Sequence, residues 1–270
     1  MFFKIKTYSF ASAKLHRPLR ILVLADLHGR AYPPLFGDLA GVCRERHPDL
    51  ILIPGDSVTA REDLDFAPSR ELLCSLTKIC PVYMSNGNHE TKLRMRTDRH
   101  RDRYRELIRT FKGCGVHVLN NASEDICRNG NQLHVTGLEI PLSSYKKFRR
   151  PKLSEDGMAK ALGGPRAGSL NILLAHNPAF AEKYFAWGAD LTVCGHFHGG
   201  IVRSPFTGRA LMDPYGFPLP KYGYGMFRQG DQRLVVSGGL GDHFILPRMF
   251  NPRELVEIRI LPKKRSTSCR

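Results

Sequence analysis

Short runs of leucine and β-branched residues recur through the first half of the chain, each followed by a stretch with helical spacing. Residues 19–25 (Leu-Arg-Ile-Leu-Val-Leu-Ala) are too few for a helix and suit a buried strand, as do residues 49–54 and 81–85. Residues 116–119 add a shorter strand. Between them, residues 34–46 place Leu35, Leu39, Val42 and Cys43 on one helical face, and residues 70–78 predict a second helix. Residues 101–111 bring Tyr104, Leu107, Ile108 and Phe111 together, and Gly113 and Gly115 end that helix. Alternating strands and helices in this order predict a mostly parallel sheet with helices on its faces.

The second half opens with a hairpin, since Asn129-Gly130 divides residues 125–127 from residues 133–136. Residues 141–169 are rich in Pro, Gly, Ser and basic residues, with a short helix at 154–162. Residues 169–175 read as a buried strand, 179–187 as a helix and 191–194 as another strand. Short strands follow at 201–203, 224–227, 234–237 and 256–261. The expectation is an α/β fold of two packed mixed β-sheets flanked by helices. A single domain covers residues 1–270, with a small cap or loop insertion near 141–168. Phe2, Phe3, Tyr8 and Phe10 alternate with Lys4 and Lys6, which predicts an N-terminal edge strand in preference to a membrane-contacting segment. The basic tail at 263–265 is expected to be disordered.

Composition is ordinary for a globular chain of 270 residues, with 42% apolar and 24% charged residues, but the formal net charge of +16 is not. The excess concentrates in residues 92–112 and in Lys146-Lys147-Phe148-Arg149-Arg150-Pro151-Lys152. The first run is read as a solvated helix face. The second lies in a loop. A basic surface attracts phosphate esters, nucleic acid and anionic membrane surfaces. No stretch approaches the roughly 20 apolar residues of a membrane span, and no signal-peptide core opens the chain. A cytoplasmic location, with peripheral membrane contact as its extension, is the expectation. Seven cysteines without a CxxC pair read as reduced, mostly buried thiols, Cys43, Cys74, Cys114 and Cys194 among them. No obligate protein partner is indicated.

Five polar clusters each follow an apolar run: Asp26-Leu27-His28, Gly55-Asp56, Gly87-Asn88-His89-Glu90, His176-Asn177 and Gly195-His196-Phe197-His198-Gly199-Gly200. All fall at the C-terminal ends of predicted strands, the edge where open α/β sheets bind ligands. Imidazole and carboxylate donors favour Mn, Fe, Zn or Co over Ca or Mg, and manganese is the favoured choice. Two such metals about 3.5–4 Å apart need a shared ligand, and the carboxylate of Asp56 suits that role. The metals outweigh the charges of Asp26 and Asp56, so the site attracts a phosphate anion.

This set resembles the calcineurin-like metallophosphoesterase superfamily, whose pattern runs D-x-H, G-D, G-N-H-[DE], H and G-H-x-H. The likeness extends to its bacterial phosphodiesterase branch, which includes UDP-2,3-diacylglucosamine pyrophosphatase-like proteins, through Gly239-Leu240-Gly241, Arg248 and Pro252-Arg253-Glu254. The resemblance implies one metal on Asp26, His28, Asp56 and His198, and a second on Asp56, Asn88, His176 and His196. It implies His89 as the catalytic histidine and a metal-bridging hydroxide as the nucleophile on a phosphodiester or pyrophosphate. Phe197 stands where a threonine is frequent, and Ile201 where a glutamine is common. Both bear on pocket shape.

Arg248 and His243 are candidate substrate contacts, Arg248 against the alternative of a structural ion pair. Glu90 is expected to orient its neighbours. His16, His47, His100 and His117 have no motif context and read as surface or loop residues, and His134 as a packed strand residue. The competing functions are a phosphomonoesterase and a nucleic-acid-binding or metal-bound scaffold protein. Ser57 after Asp56, with no arginine beside Asn88-His89, favours diesters. The complete ligand set disfavours a scaffold.

Overall fold

Two six-stranded sheets pack face to face, and their strand ends converge on one rim. The computed structural model describes residues 3–29, 38–61, 65–96, 98–149, 152–153, 155–200, 202–242 and 248–263, without the side chains of 98–100 and 155–157. Phe2, Leu35, Ile201, His243 and the tail beyond residue 263 lie outside the described residues.

The first sheet runs β1 (Lys4–Ser12), β12 (Glu254–Pro262), β2 (Leu19–Val23), β3 (Leu50–Ile53), β4 (Val82–Met84) and β5 (Val116–Val118). The strands β2 to β5 are parallel, β12 is antiparallel to β2, and β1 forms the edge. The second sheet runs β10 (Gly225–Gln229), β11 (Gln232–Val236), β9 (Leu191–Cys194), β8 (Leu170–Ala175), β7 (Asn131–Leu138) and β6 (Ala122–Arg128). Its centre is parallel, and both edge pairs are antiparallel. The sheets are therefore mixed, as expected.

Alternation within the buried strands builds the layers. Ile21, Val23, Leu50 and Leu52 face Val135, Ile172, Leu174 and Val193 between the sheets. Their neighbours Leu22, Ile51 and Ile53 face a helical layer of α1 (Leu39–Glu45), α2 (Ala67–Leu76), α3 (Asn88–Met95) and α4 (Asp98–Gly113). On the far side, Leu173, Cys194, Leu234 and Val236 pack against α5 (Glu155–Leu162) and α6 (Ala181–Trp187).

Three expectations change. The helix α3 begins at Asn88 inside a motif read from sequence only as a ligand cluster. Val202 and Arg203 form isolated bridges to Met249 and Ala210 in place of a strand, because the chain there crosses between segments. His117 lies on β5 within the strand expected at 116–119, with its side chain partly exposed, stacked on Tyr83 and paired with Glu124 at 2.9 Å. Cys74 and Cys114 form a disulfide joining α2 to the end of α4, so these two are not reduced thiols. Their Cα atoms stand 5.3 Å apart, within bridging distance. Cys43, Cys80 and Cys194 are buried free thiols and Cys127 is exposed. No described helix is long and apolar enough to cross a membrane.

Candidate metal centre

Each motif residue sits just past a strand of the two sheets. Asp26 and His28 follow β2, Asp56 follows β3, and Asn88 and His89 follow β4. His176 follows β8, while His196 and His198 follow β9. The packed sheets thus bring five segments to one place. Asp26, His28, Asp56, His176 and His198 are buried, whereas Asn88, His89 and His196 are partly open. Ligand atoms converge within 4.8 Å in three overlapping sets: Asp26, His28 and His198; His28, Asp56 and His89; Asp56, His176 and His196.

The backbone is bent hard to achieve this. Asp26, His28, Asp56, His196 and His198 all adopt left-handed φ values, between 49 and 65°. Such conformations disfavour side chains with a Cβ and concentrate at functional sites. Two glycines permit the close approach. A Cβ on Gly55, at φ +95°, would lie 2.5 Å from the Gly87 nitrogen, and one on Gly87 would lie 2.2 Å from Asp56 Oδ1.

Glu90 ties these loops together from beneath. Its buried carboxylate accepts from the backbone nitrogens of Asp56 (3.0 Å), Val58 (3.1 Å) and Gly87 (3.0 Å), and from Ser57 Oγ (2.8 Å). Burial, reinforced by Asp56, pushes the Glu90 carboxyl up to about 7, against the pull of its donors.

Hydrogen bonds fix the two key imidazoles. His176 Nδ1 lies 2.8 Å from the Pro54 carbonyl, which only accepts, so Nδ1 carries the proton. In neutral His176 the Nε2 lone pair then faces Asp56 Oδ2 at 3.1 Å and Asn88 Oδ1 at 3.2 Å. Three lone-pair atoms converge there. Burial pulls the His176 imidazole down, but Asp56, Asp26 and the Pro54 carbonyl together raise it to about 9. The pocket demands a positive charge. His89 is arranged oppositely: its Nδ1 accepts from Ala60 N at 2.9 Å, so its Nε2 carries the proton in the neutral ring, 3.9 Å from Asp56 Oδ2. Burial lowers its pKa and keeps it neutral.

A divalent cation fits these residues. The Oδ2 oxygen of Asp26 is buried with no hydrogen-bond partner, a costly state for a carboxylate. Burial raises that carboxyl to about 6, moderated by His176. His28 and His198 face each other with Nε2 atoms 3.0 Å apart and rings stacked at 10°. Imidazoles, carboxylates and one amide oxygen are the donors expected of a transition-metal site.

Arg248 stands behind this cluster. Its guanidinium donates to the carbonyls of Gly238 (2.7 Å), Gly239 (3.3 Å) and Gly241, pairs with Asp242 and approaches His198 Nδ1 at 3.4 Å. Asn251 Nδ2 donates to the carbonyls of His198 and Gly200. Of the two sequence readings of Arg248, substrate contact or structural ion pair, the pair with Asp242 is present; sequence reasoning missed Asn251, and it missed Tyr145, whose ring lies edge-on to His196. An aromatic in an irregular loop has no spacing signature. The one pointer was Asn177, which follows His176 and reaches that loop through Tyr215.

The chain is similar to several known proteins. The profile of the calcineurin-like phosphoesterase family matches residues 19–200. The uncharacterized metallophosphoesterase YkuE of Bacillus subtilis is 38% identical over 236 residues, 82% of this chain and 72% of that protein. The phosphodiesterase YaeI of Escherichia coli is 29% identical over 228 residues, covering 83% of this chain and 76% of that one. Among solved structures, the sulfate thiohydrolase SoxB of Thermus thermophilus shares the fold with a TM-score of 0.52 at 16% identity, over 82% of this chain and 51% of SoxB.

Proposed function

The chain belongs to the calcineurin-like phosphoesterase family, and from that premise we propose that it hydrolyses phosphodiester or pyrophosphate bonds with two divalent metal ions. The observation that carries this reading is the convergence of His176 Nε2, Asp56 Oδ2 and Asn88 Oδ1 within 3.2 Å of His176, three donor atoms that would hold a cation in place of the proton that His176 otherwise binds there. Asp56 belongs to ligand sets on both sides, which suits a shared ligand. One metal would be held by Asp26, His28, Asp56 and His198, and the other by Asp56, Asn88, His176 and His196. Manganese suits these donors, with iron, zinc and cobalt as alternatives. When bound, the pair supplies Lewis-acid charge and lowers the pKa of a water molecule toward neutrality.

The protein's own groups do the rest. His89 Nε2–H, 3.9 Å from Asp56 Oδ2, would donate a hydrogen bond to a phosphoryl oxygen and stabilise the charge that develops there while keeping its proton. Its proton is kept on Nε2 by the Ala60 N–H at Nδ1. Lys146, Lys147 and Arg149 are exposed beside Tyr145 and draw an anionic ester toward the site. The relative YaeI is described as a phosphodiesterase, which supports diesters over monoesters.

The test is hydrolysis of bis-p-nitrophenyl phosphate by metal-stripped protein, with and without Mn²⁺, alongside His89→Ala. Turnover should require metal and fall about 100-fold or more in the variant, the usual worth of a positioned hydrogen-bond donor to developing charge. Metal-independent turnover, or an unaffected variant, would refute the assignment.

A further inference from the structure

Directly after β7 the chain makes one 3-10 turn, Leu142–Tyr145. Its last residue lies against the metal cluster. The Tyr145 ring stands edge-on to His196 with centroids 4.8 Å apart and an interplanar angle of 81°, and 6.2 Å from the His176 ring. Its hydroxyl is buried and has no hydrogen-bond partner. Burial pushes the Tyr145 phenol well above its ordinary range, and the Asp56 carboxylate adds to that push.

An unsatisfied buried hydroxyl destabilises a fold, and phenylalanine would pack against His196 equally well without that penalty. The turn is also held in place from the site itself. Asn177, the residue after His176, donates through Nδ2 to Tyr215 Oη, and Tyr215 Oη donates to the Ser144 carbonyl at 2.9 Å. Ser144 Oγ donates to the Lys152 carbonyl at 2.8 Å, and Phe148 N donates to the Tyr215 carbonyl at 3.1 Å. A chain of hydrogen bonds therefore runs from one ligand-bearing strand end to the residue before Tyr145. This accounts for Asn177, which the ligand set leaves without a role.

We propose that Tyr145 is a substrate-binding residue whose hydroxyl donates a hydrogen bond to a non-bridging oxygen of the bound phosphoryl group, on the His176–His196 side of the site. The inference rests on the two-metal reading above. A phenol, with an ordinary pKa near about 10, stays a donor at neutral pH. It thus joins His89 as a second neutral donor, on a different loop.

The experiment compares wild type with Tyr145→Phe, which keeps the ring against His196 and removes only the oxygen. Three quantities are read: manganese bound per chain, melting temperature, and the dissociation constant of orthophosphate for the manganese-loaded protein by calorimetry. The variant should bind manganese like wild type and melt no lower. Orthophosphate should bind it about 10- to 100-fold more weakly, the effect of one lost hydrogen bond to a charged group. With bis-p-nitrophenyl phosphate, KM should rise by more than kcat falls. Equal orthophosphate affinity in the two proteins overturns the inference while leaving the two-metal reading intact. Loss of manganese from the variant also overturns it, by moving the hydroxyl's role to the metals. A wild type that takes up no manganese, iron, zinc or cobalt removes both.

Discussion

Glu90 and Gly87 illustrate how single residues hold a site they do not complete. Glu90 meets four donors with four hydrogen bonds. Glu90→Gln turns one oxygen into an amide nitrogen, which leaves at least one of the backbone donors facing another donor. Each buried group so stranded costs about 1–3 kcal/mol, so the variant should lose at least that much stability in denaturant titrations. It should also bind Mn²⁺ more weakly, because the Asp56 loop loses its anchor. Unchanged stability would reduce Glu90 to a bystander. Gly87 is constrained by contact: its added Cβ would lie 2.2 Å from Asp56 Oδ1 and 2.5 Å from Asp56 N. Gly87→Ala must displace the shared carboxylate or break the turn. The expected result is a folded protein, destabilised by about 1–3 kcal/mol, with metal uptake reduced in elemental analysis.

Elements were legible in the sequence to the extent that periodicity specified them. The buried strands β2, β3, β4, β8 and β9 appear where short apolar runs stood, and their C-terminal ends carry the polar clusters as expected. The start of α3 was hidden because Asn88 and His89 drew attention as ligands, though Glu90 at the third helical position is a capping signal. Neither the bridged segment after Gly200 nor the contact of Tyr145 with His196 has a period, since both depend on tertiary pairing. The disulfide was illegible for a similar reason: Cys74 and Cys114 are 40 residues apart, and only packing of α2 on α4 brings them together. Closing a loop of that length contributes about 2–4 kcal/mol by restricting the unfolded chain. Cys74→Ser/Cys114→Ser should lower stability by that amount with little effect on metal uptake. Peptide mapping after alkylation without reductant should find Cys127 modified, Cys74 linked to Cys114, and Cys43 untouched. The Cys43 thiol is buried, and burial pushes it up to about 12. Free, alkylated Cys74 in native protein would contradict the linkage.

At the scale of the whole molecule, the metal centre is a cost that the rest of the fold carries. Five residues in left-handed backbone conformations, two buried carboxylates and the unpartnered Asp26 Oδ2 are all gathered at one rim. The two sheets, packed through Ile21, Leu52, Val135 and Ile172, hold the strand ends together against that opposition. Cations relieve it only in the folded state, so metal binding is linked to folding. Wild type at a free Mn²⁺ concentration 100 times its dissociation constant should gain about 2.7 kcal/mol per site. For a chain of this size that is a rise in melting temperature on the order of 5 °C or more, reversed by EDTA. Asp26→Asn separates the cost of the buried charge from its contribution to metal binding. It keeps the oxygen that accepts from His196 N at 3.0 Å and replaces the unpaired charged oxygen with a neutral amide nitrogen. An unpaired neutral group is far less costly to bury than an unpaired charge. Metal-free Asp26→Asn should therefore melt at or above metal-free wild type, yet respond less to Mn²⁺. A variant that melts well below wild type without metal would show instead that Asp26 supports the fold in its own right. A wild type indifferent to every divalent cation tried would mean that the convergence of lone pairs at Asp56 is satisfied by the His176 proton alone.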